Sequence, residues 1–286
     1  VVRETLKRAG LDPATLDAVV MGNVVQAGNR MNPARQASIG GGVPVAVPAL
    51  TVNRVCVSGA QAIVSAAQEI RAGDASVAVA GGMENMDRAP YLVEGGRWGY
   101  RMGPATMLDS MLTDGLNDAF SGEHSGWHTE DLVAKLQIPR RDQDEFAARS
   151  QQRFAQAQKA GSFTEEIIPV ELKGRKGPEL FAADEAPRPD TTVELLAKLK
   201  PAFRAEGTIT AGNAPGLNSA AAAMIVADRA YAETNGIQPI GRLVAHGVAA
   251  VEPGPFRLRP GPVSYTTLPA HETPEHLVIR LLLDKK

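Results

Sequence analysis

The chain has 286 residues, of which 44% are hydrophobic and 22% are charged, and its formal net charge is -2. This is the composition of a globular protein with enough material for a buried core, and it excludes a disordered chain. The balanced charge predicts no basic surface, so nucleic acid is not expected as a partner. The single cysteine, Cys56, excludes an internal disulfide and a paired-cysteine metal or redox site.

The apolar stretches of the chain are short. Residues 75–80 and 220–227 fall far below the roughly 20 residues that a membrane-spanning helix needs, so no membrane association is expected. Val1 opens the chain without a methionine and without a signal-like segment, which predicts a piece of a longer protein. The lack of disulfides is typical of a reducing compartment, and we expect a cytoplasmic protein.

The first elements in chain order are a helix, a strand and a second helix. Val1, Leu6 and Ala9 recur at helical spacing before Gly10. β-branched residues within 16–25 then predict a strand, and residues 33–38 predict a short helix.

The clearest unit follows a loop rich in proline and glycine. Residues 49–55 predict a strand, Cys56-Val57-Ser58-Gly59 a turn, and the next residues a helix that ends at Gly73. Residues 75–80 predict a buried strand that stops at Gly81-Gly82. Together they predict a strand–turn–helix–strand unit whose two strands are parallel.

The middle of the chain does not continue the alternation of strands and helices. Residues 94–122 show no periodicity and predict long loops, whereas 141–160 predict a helix that packs through one side (Phe146, Ser150, Phe154 and Ala157). Ile167, Ile168 and Val170 predict a strand, and 173–190 is rich in turns. We interpret residues 90–207 as an inserted loop subdomain.

The alternation of strands and helices seen in the first part of the chain returns near Thr208. Residues 222–227 predict a strand in the same sheet as 75–80, residues 228–235 a helix capped by Gly236, and 240–251 a further strand. The predicted domains are therefore 1–89 with 208–236, the insertion 90–207, and a remnant of a second domain over 237–286. The fold class is α/β, with a mixed sheet that carries helices on both faces and an incomplete second domain.

Cys56 is the residue with the clearest chemistry. It lies between a strand and a helix that begins at about Ser58, where the helix dipole and the unpaired N–H groups favour a thiolate. A thiolate is well suited to attack a thioester, because one sulfur replaces another. A small buried hydrophobic side chain, the common role of a lone cysteine, is the alternative from spacing alone.

Several motifs together resemble those of the thiolase family over roughly residues 1 to 250. The nucleophile segment Val52-Asn53-Arg54-Val55-Cys56-Val57-Ser58-Gly59 and the signature Gly81-Gly82-Met83-Glu84-Asn85-Met86 carry the resemblance. Further matching segments follow in family order, namely Gly22-Asn23-Val24, Asn32-Pro33-Ala34-Arg35-Gln36, Lys198-Leu199-Lys200-Pro201-Ala202-Phe203 and Gly207-Thr208-Ile209-Thr210-Ala211-Gly212-Asn213-Ala214.

The resemblance implies roles for six residues. Cys56 matches the cysteine that becomes acylated, and the others match positions along the coenzyme A chain. Of these, Leu116 and Phe203 match apolar residues that line the pantetheine tunnel, and Gly216 lies in the loop that brackets the coenzyme chain. His124 matches a histidine near the pantetheine end of coenzyme A, and Arg188 matches a basic residue close to its nucleotide phosphates. Without the family context, each of the five reads as an ordinary loop or core residue. His124 and His128 are an i, i+4 pair, but no third metal ligand is evident.

The family's activity implies an acyltransferase that moves an acyl group between coenzyme A thioesters through an acyl-cysteine. Acyl-CoA and CoA are then the partners, with coenzyme A as substrate and no separate cofactor. Thiolases associate into dimers and tetramers, and residues 91–109 match the loop that helps tetramers form.

Departures from the family pattern support a second hypothesis, a catalytically incomplete thiolase-like fragment with at most partial coenzyme binding. Val57 replaces the usual glycine and is expected to crowd the turn. Pro215 replaces a serine, and Ala220 replaces a glycine whose conformation an alanine would strain if φ is positive there. The family's Gly-His-Pro histidine and Cys-x-Gly-Gly cysteine do not occur in the sequence. His246, His271 and His276 stand in other contexts.

Overall fold

A computed structural model of the chain describes residues 1–174 and 177–250. The α-helices in these ranges are α1 (Val2–Ala9), α2 (Pro33–Gly40), α3 (Ser58–Ala72), α4 (Ser125–Lys135), α5 (Arg140–Lys159), α6 (Val193–Leu196) and α7 (Arg229–Thr234). The strands are β1 (Ala18–Gly22), β2 (Ala49–Val52), β3 (Val77–Glu84), β4 (Tyr91–Leu92), β5 (Leu108–Asp109), β6 (Val170–Gly174), β7 (Gly177–Phe181) and β8 (Ala220–Ala227). The chain divides into two compact units, Val1–Asn117 with residues 219–250, and Asp118–Asn218.

The first unit is built on a mixed sheet, whose strands in the described ranges follow the order β2-β1-β3-β8. β1 is parallel to both β2 and β3, and it lies between them. β8 is antiparallel to β3, with Val77 opposite Ala227 and Glu84 opposite Ala220. The predicted parallel strand–helix–strand unit is therefore confirmed, as is the prediction that strands from before and after the middle section share one sheet.

Helices cover both faces of this sheet. Successive side chains of a strand point to opposite faces. On β1, Ala18 and Val20 belong to a buried cluster with Ile70 of α3, whereas Val19 and Met21 belong to a second cluster. That second cluster includes side chains of α1 and α2. The predicted α/β fold with helices on both faces is confirmed.

β3 extends further than the sequence suggested. The prediction that Gly81-Gly82 stops this strand is wrong, because both glycines pair with β8. A Cβ on Gly81 would lie 2.1 Å from the carbonyl oxygen of Ala222. Glycine here allows close approach of two backbones and is not a strand terminator.

In the second unit, the helix predicted over 141–160 is confirmed as α5, but its predicted packing face is wrong. Phe146 is 65% exposed, whereas Asp144 and Ala148 are buried. The Asp144 carboxylate forms an ion pair with Nε of Arg140 at 2.8 Å. A paired charge can be buried, so the buried side of α5 does not follow hydrophobic spacing.

Other boundaries also differ from the sequence prediction. The strand expected at Ile167 begins at Val170, and the turn-rich stretch after it contains the antiparallel partner β7. Residues 240–250 carry no strand, so that prediction is wrong for this range. Residue 251 and the rest of the predicted second-domain remnant, with His271 and His276, lie outside the described residues. Residues 90–117 group with the first unit and 208–218 with the second.

Candidate functional site

Cys56 lies where the sequence placed it, between β2 and α3. The first residue of α3 is Ser58, so the cysteine precedes the first helical turn by two residues. Its side chain is exposed. The alternative interpretation, a small buried hydrophobic side chain, is therefore wrong, and the cysteine lies two residues before a helix of 15 residues.

The turn that carries Cys56 has an unusual backbone. Val55 has a φ of 48°, in the left-handed region that β-branched residues avoid. Two neighbouring side chains, those of Asn53 and Ser58, form hydrogen bonds with the backbone of Val55. The amide of Val55 donates to Oδ1 of Asn53 at 2.9 Å, and its carbonyl accepts from Oγ of Ser58 at 2.5 Å. The same Ser58 oxygen accepts from the amide of Arg54 at 2.8 Å, which closes the turn around Cys56.

Small residues bring α3 against the carboxyl ends of the parallel strands. A Cβ on Gly22, the last residue of β1, would lie 2.4 Å from the carbonyl carbon of Ser58. A Cβ on Gly82 would lie 3.2 Å from Cα of Gly59. Ligand sites of α/β sheets occur beyond the carboxyl ends of parallel strands, and Cys56 is placed at this edge.

A polar network joins the loops at the same edge. The carboxylate of Glu84, at the end of β3, accepts from Nδ2 of Asn23 and from the amide of Val24, both at 2.9 Å. The carbonyl of Val24 in turn accepts from Nδ2 of Asn53 at 3.3 Å. Asn23, Asn53, Ser58 and Glu84 were not singled out from the sequence. The sequence feature that could have identified them is that they are polar residues inside the matched motifs.

Two departures from the family pattern prove harmless to the backbone. Val57 has a φ of -95°, and its side chain is 47% exposed, so the expected crowding of the turn is absent. Ala220 is the first residue of β8, in extended conformation, and is not among the residues with positive φ. The strain in this region lies at Val55, which the sequence did not reveal.

In the second unit, two of the predicted coenzyme-side residues come together. The rings of His124 and Phe203 are stacked, with centroids 4.7 Å apart and an interplanar angle of 20°. His124 is the N-cap of α4, and its Nδ1 accepts from the amide of Gly126 at 2.9 Å. The hydrogen bond to Nδ1 fixes the orientation of the His124 ring at the start of α4.

The stack is flanked by a second pair of side chains on the same two segments. The guanidinium of Arg204 lies over the ring of Trp127, 4.3 Å from its centroid. Nη1 of Arg204 also donates to Asp131 at 2.6 Å, and this bond holds the pKa of the Asp131 carboxyl below its usual range. These contacts fix the segment that carries Phe203 against α4.

Two buried carboxylates hold the segment 207–213. Glu130 of α4 accepts from the amides of Thr208 and Ile209 and from the Thr208 hydroxyl, at 2.9–3.1 Å. Asp144 of α5 accepts from Nδ2 of Asn213 at 3.0 Å. The segment therefore has a fixed conformation as it leads toward Gly216.

The remaining predicted residues lie on loops and turns. Leu116, part-buried, ends the π-helical turn Leu112–Leu116 in the first unit. Nη1 of Arg188 donates to the carbonyls of Glu185, Ala186 and Pro187, so its guanidinium stabilises its own loop. Gly216 is exposed, and its carbonyl accepts from Asn218 at 3.2 Å.

The histidine pair suggested by the sequence does not form one site. His124 caps α4, whereas Nε2 of His128 lies 2.7 Å from Oγ of Ser121 and 3.5 Å from the Asp118 carboxylate. In residues 1–174 and 177–250, no three His, Cys, Asp or Glu side chains are grouped to hold a metal ion. No helix in these ranges is long and apolar enough to cross a membrane.

Cys56 is thus an exposed cysteine that precedes a helix at the carboxyl edge of parallel strands. Residues 1–230 match the family model of the thiolase N-terminal domain. The chain belongs to the thiolase family, as its motifs indicated.

Relatives and a solved structure agree with this assignment. The chain is 49% identical over 267 residues to an acetyl-CoA acetyltransferase of Pseudomonas aeruginosa, covering 93% of this chain and 67% of the relative. It is 48% identical to a probable acetyl-CoA acyltransferase of Staphylococcus epidermidis, covering 91% and 66%. It resembles the crystal structure of the Bacillus anthracis acetyl-CoA acetyltransferase with a TM-score of 0.90 and 38% identity, covering 93% and 68%. The chain thus spans about two thirds of the length of these proteins.

Proposed function

We propose that this chain carries the acyl-accepting part of a thiolase-type acyltransferase, and that Cys56 takes an acyl group from an acyl-CoA thioester. The observation that carries the proposal is the exposed thiol of Cys56 at the start of α3. The likeness to proteins described as acetyl-CoA acetyltransferases supports acetyl-CoA as the donor.

The acylation step needs one nucleophile and one leaving group. The Cys56 thiolate attacks the carbonyl carbon of the thioester, so that a new S–C bond forms and the S–C bond to coenzyme A breaks. The coenzyme leaves as a thiolate and takes up the proton that Cys56 released, and no electrons are exchanged.

The second unit is proposed to contact the coenzyme. The His124–Phe203 stack offers an apolar ring surface, which suits the aliphatic parts of a pantetheine chain. Arg188, Leu116 and Gly216 keep the roles that the family resemblance gives them, as proposals. In its own loop, Arg188 already donates to three carbonyls, so phosphate contact would use its other N–H groups.

Self-association is also proposed, through residues 91–109. Tyr91, Trp98 and Met102 are 62%, 88% and 79% exposed in this segment. Large apolar side chains exposed together are typical of a surface that another protein covers. This supports the dimers or tetramers that the family resemblance implies.

The test is to incubate the purified chain with acetyl-CoA and to follow the intact mass and the release of coenzyme A. We expect one acetyl increment per chain and an equal amount of released coenzyme A. Cys56→Ser should abolish both, while its circular dichroism spectrum stays unchanged. Absence of acetylation, with Cys56 still open to iodoacetamide, would contradict the proposal.

A steady-state assay of acetoacetyl-CoA thiolysis separates a whole enzyme from an incomplete one. General acid and base groups contribute about 10²–10⁴-fold each. The sequence lacks the Gly-His-Pro and Cys-x-Gly-Gly motifs that supply them in the family. We expect acetylation without sustained thiolysis from these 286 residues. Robust turnover would show instead that another residue serves as the base, with His124 and His246 as the first to substitute.

A further inference from the structure

Asn53 and Ser58 hold the residue before Cys56 in a conformation that it would not adopt by itself. Val55 has a φ of 48° and is 46% exposed, so packing of its side chain does not enforce this geometry. The left-handed region costs an L-residue about 1–2 kcal/mol, and its crowding is greatest for β-branched side chains. Something outside the Val55 side chain must therefore hold the turn.

The hydrogen bonds around Val55 identify what holds it. Asn53 accepts from the Val55 amide, and Ser58 donates to the Val55 carbonyl, so both backbone groups of the strained residue are fixed. Asn53 is anchored in turn through Nδ2 to the carbonyl of Val24. Ser58 is 4% exposed and is packed against Gly22 at the end of β1. The turn is thus tied to β1 through Ser58 and to the loop that follows β1 through Asn53.

We propose that Asn53 and Ser58 are positioning residues, which aim the Cys56 thiol for attack by imposing positive φ at Val55. This inference rests on the proposed acylation of Cys56 and adds residues that neither touch the acyl group nor carry the reacting sulfur. Strained backbone persists at functional sites when the surroundings over-determine it. A thiol that must approach a bound thioester in one direction gains from such a fixed turn.

The test compares two reactions of the same thiol. Acetylation by acetyl-CoA requires an oriented attack inside a complex, whereas alkylation by iodoacetamide has no bound geometry to satisfy. We expect Asn53→Ala and Ser58→Ala each to lower the maximal acetylation rate about tenfold, because each variant loses its bond to Val55 and a second bond that supports it. The half-saturating acetyl-CoA concentration and the alkylation rate should change less than about threefold.

A conservative variant provides the matched control. Ser58→Thr keeps the hydroxyl that bonds to the carbonyl of Val55 and to the amide of Arg54. It should retain acetylation within about threefold of the wild type, which a general loss of packing would not predict. Thermal unfolding of every variant identifies any that lose their fold.

A double-mutant cycle tests the role of Val55 directly. Glycine adopts positive φ without strain, so in a Val55→Gly background the turn needs less support. There, Asn53→Ala should lower acetylation less than about threefold, against about tenfold with Val55 present. An equal effect in both backgrounds, or equal loss of acetylation and alkylation, would overturn the positioning role while leaving Cys56 acylation intact. A wild-type chain that is alkylated but never acetylated would overturn both.

Discussion

Asp144 of α5 accepts a hydrogen bond from Nδ2 of Asn213, 69 residues further along the chain, at 3.0 Å. The same carboxylate is paired with Arg140 and is 1% exposed. Asn213 also bonds within its own segment, to the carbonyl of Thr208 and to the amide of Thr210. One buried charge therefore joins α5 to the segment that leads toward Gly216.

Asp144→Ala should be destabilising, because it leaves Nε of the half-buried Arg140 and Nδ2 of Asn213 without their common acceptor. We expect a loss of about 2–4 kcal/mol in the free energy of unfolding, since each buried group that loses its partner costs about 1–3 kcal/mol. Glu145→Ala is the matched control, since Glu145 pairs with Arg141 on the same helix at 2.7 Å but on the exposed side. It should cost less than about 1 kcal/mol. Urea unfolding followed through Trp127, in a Trp98→Phe background, measures both, and similar losses would contradict this account.

Gly22→Ala should disturb both the fold and the site. The added methyl group would meet the backbone of Ser58 and Gly59 at 2.4–2.6 Å, and backbone cannot yield as a flexible side chain can. We expect a loss of about 1–3 kcal/mol and a slower acetylation of Cys56. Gly40→Ala at the end of α2 has open space around the new methyl group and should leave both quantities almost unchanged. Thermal unfolding and the acetylation rate of each variant test this.

Stability should depend on pH through Glu69 of α3. Burial first, and the neighbouring Asp74 carboxylate second, raise the pKa of Glu69 above its usual value. The folded state then holds a proton that the unfolded state has lost, so stability falls as pH rises through the interval between the two pKa values. Glu69→Gln should therefore unfold at a higher temperature than the wild type above that interval, with no such advantage below it. Unfolding scans from about pH 4 to about pH 8 check the sign, and a pH-independent difference would refute it.

Two substitutions of His124 should distinguish a structural role of this residue from a coenzyme-binding role. Asparagine is a good N-cap and alanine a poor one, so His124→Asn should be about 1 kcal/mol more stable than His124→Ala. Both variants lose the ring that stacks on Phe203. If the ring contacts the coenzyme, both should raise the half-saturating acetyl-CoA concentration by a similar factor. A normal value in His124→Asn alone would assign the histidine to capping only.

Local patterns allowed prediction of the strand, turn and helix around Cys56, because hydrophobic spacing and a terminal glycine act within a few residues. The errors arose where distant residues decide the outcome. Gly81 continues β3 because β8 approaches it closely, and α5 buries Asp144 because Arg140 neutralises its charge. The strain at Val55 could not be read from the sequence either, since it depends on bonds to Asn53 and Ser58 together with the anchoring of those side chains.

The most direct test of the account is to locate the acyl group after incubation with acetyl-CoA. Trypsin releases residues 55–71 as one peptide between Arg54 and the bond after Arg71, and this peptide contains the only cysteine of the sequence. We predict an acetyl group on Cys56 in this peptide, removed by neutral hydroxylamine as a thioester should be. Acetylation confined to other residues, or an unmodified Cys56 that iodoacetamide still labels, would contradict the central claim.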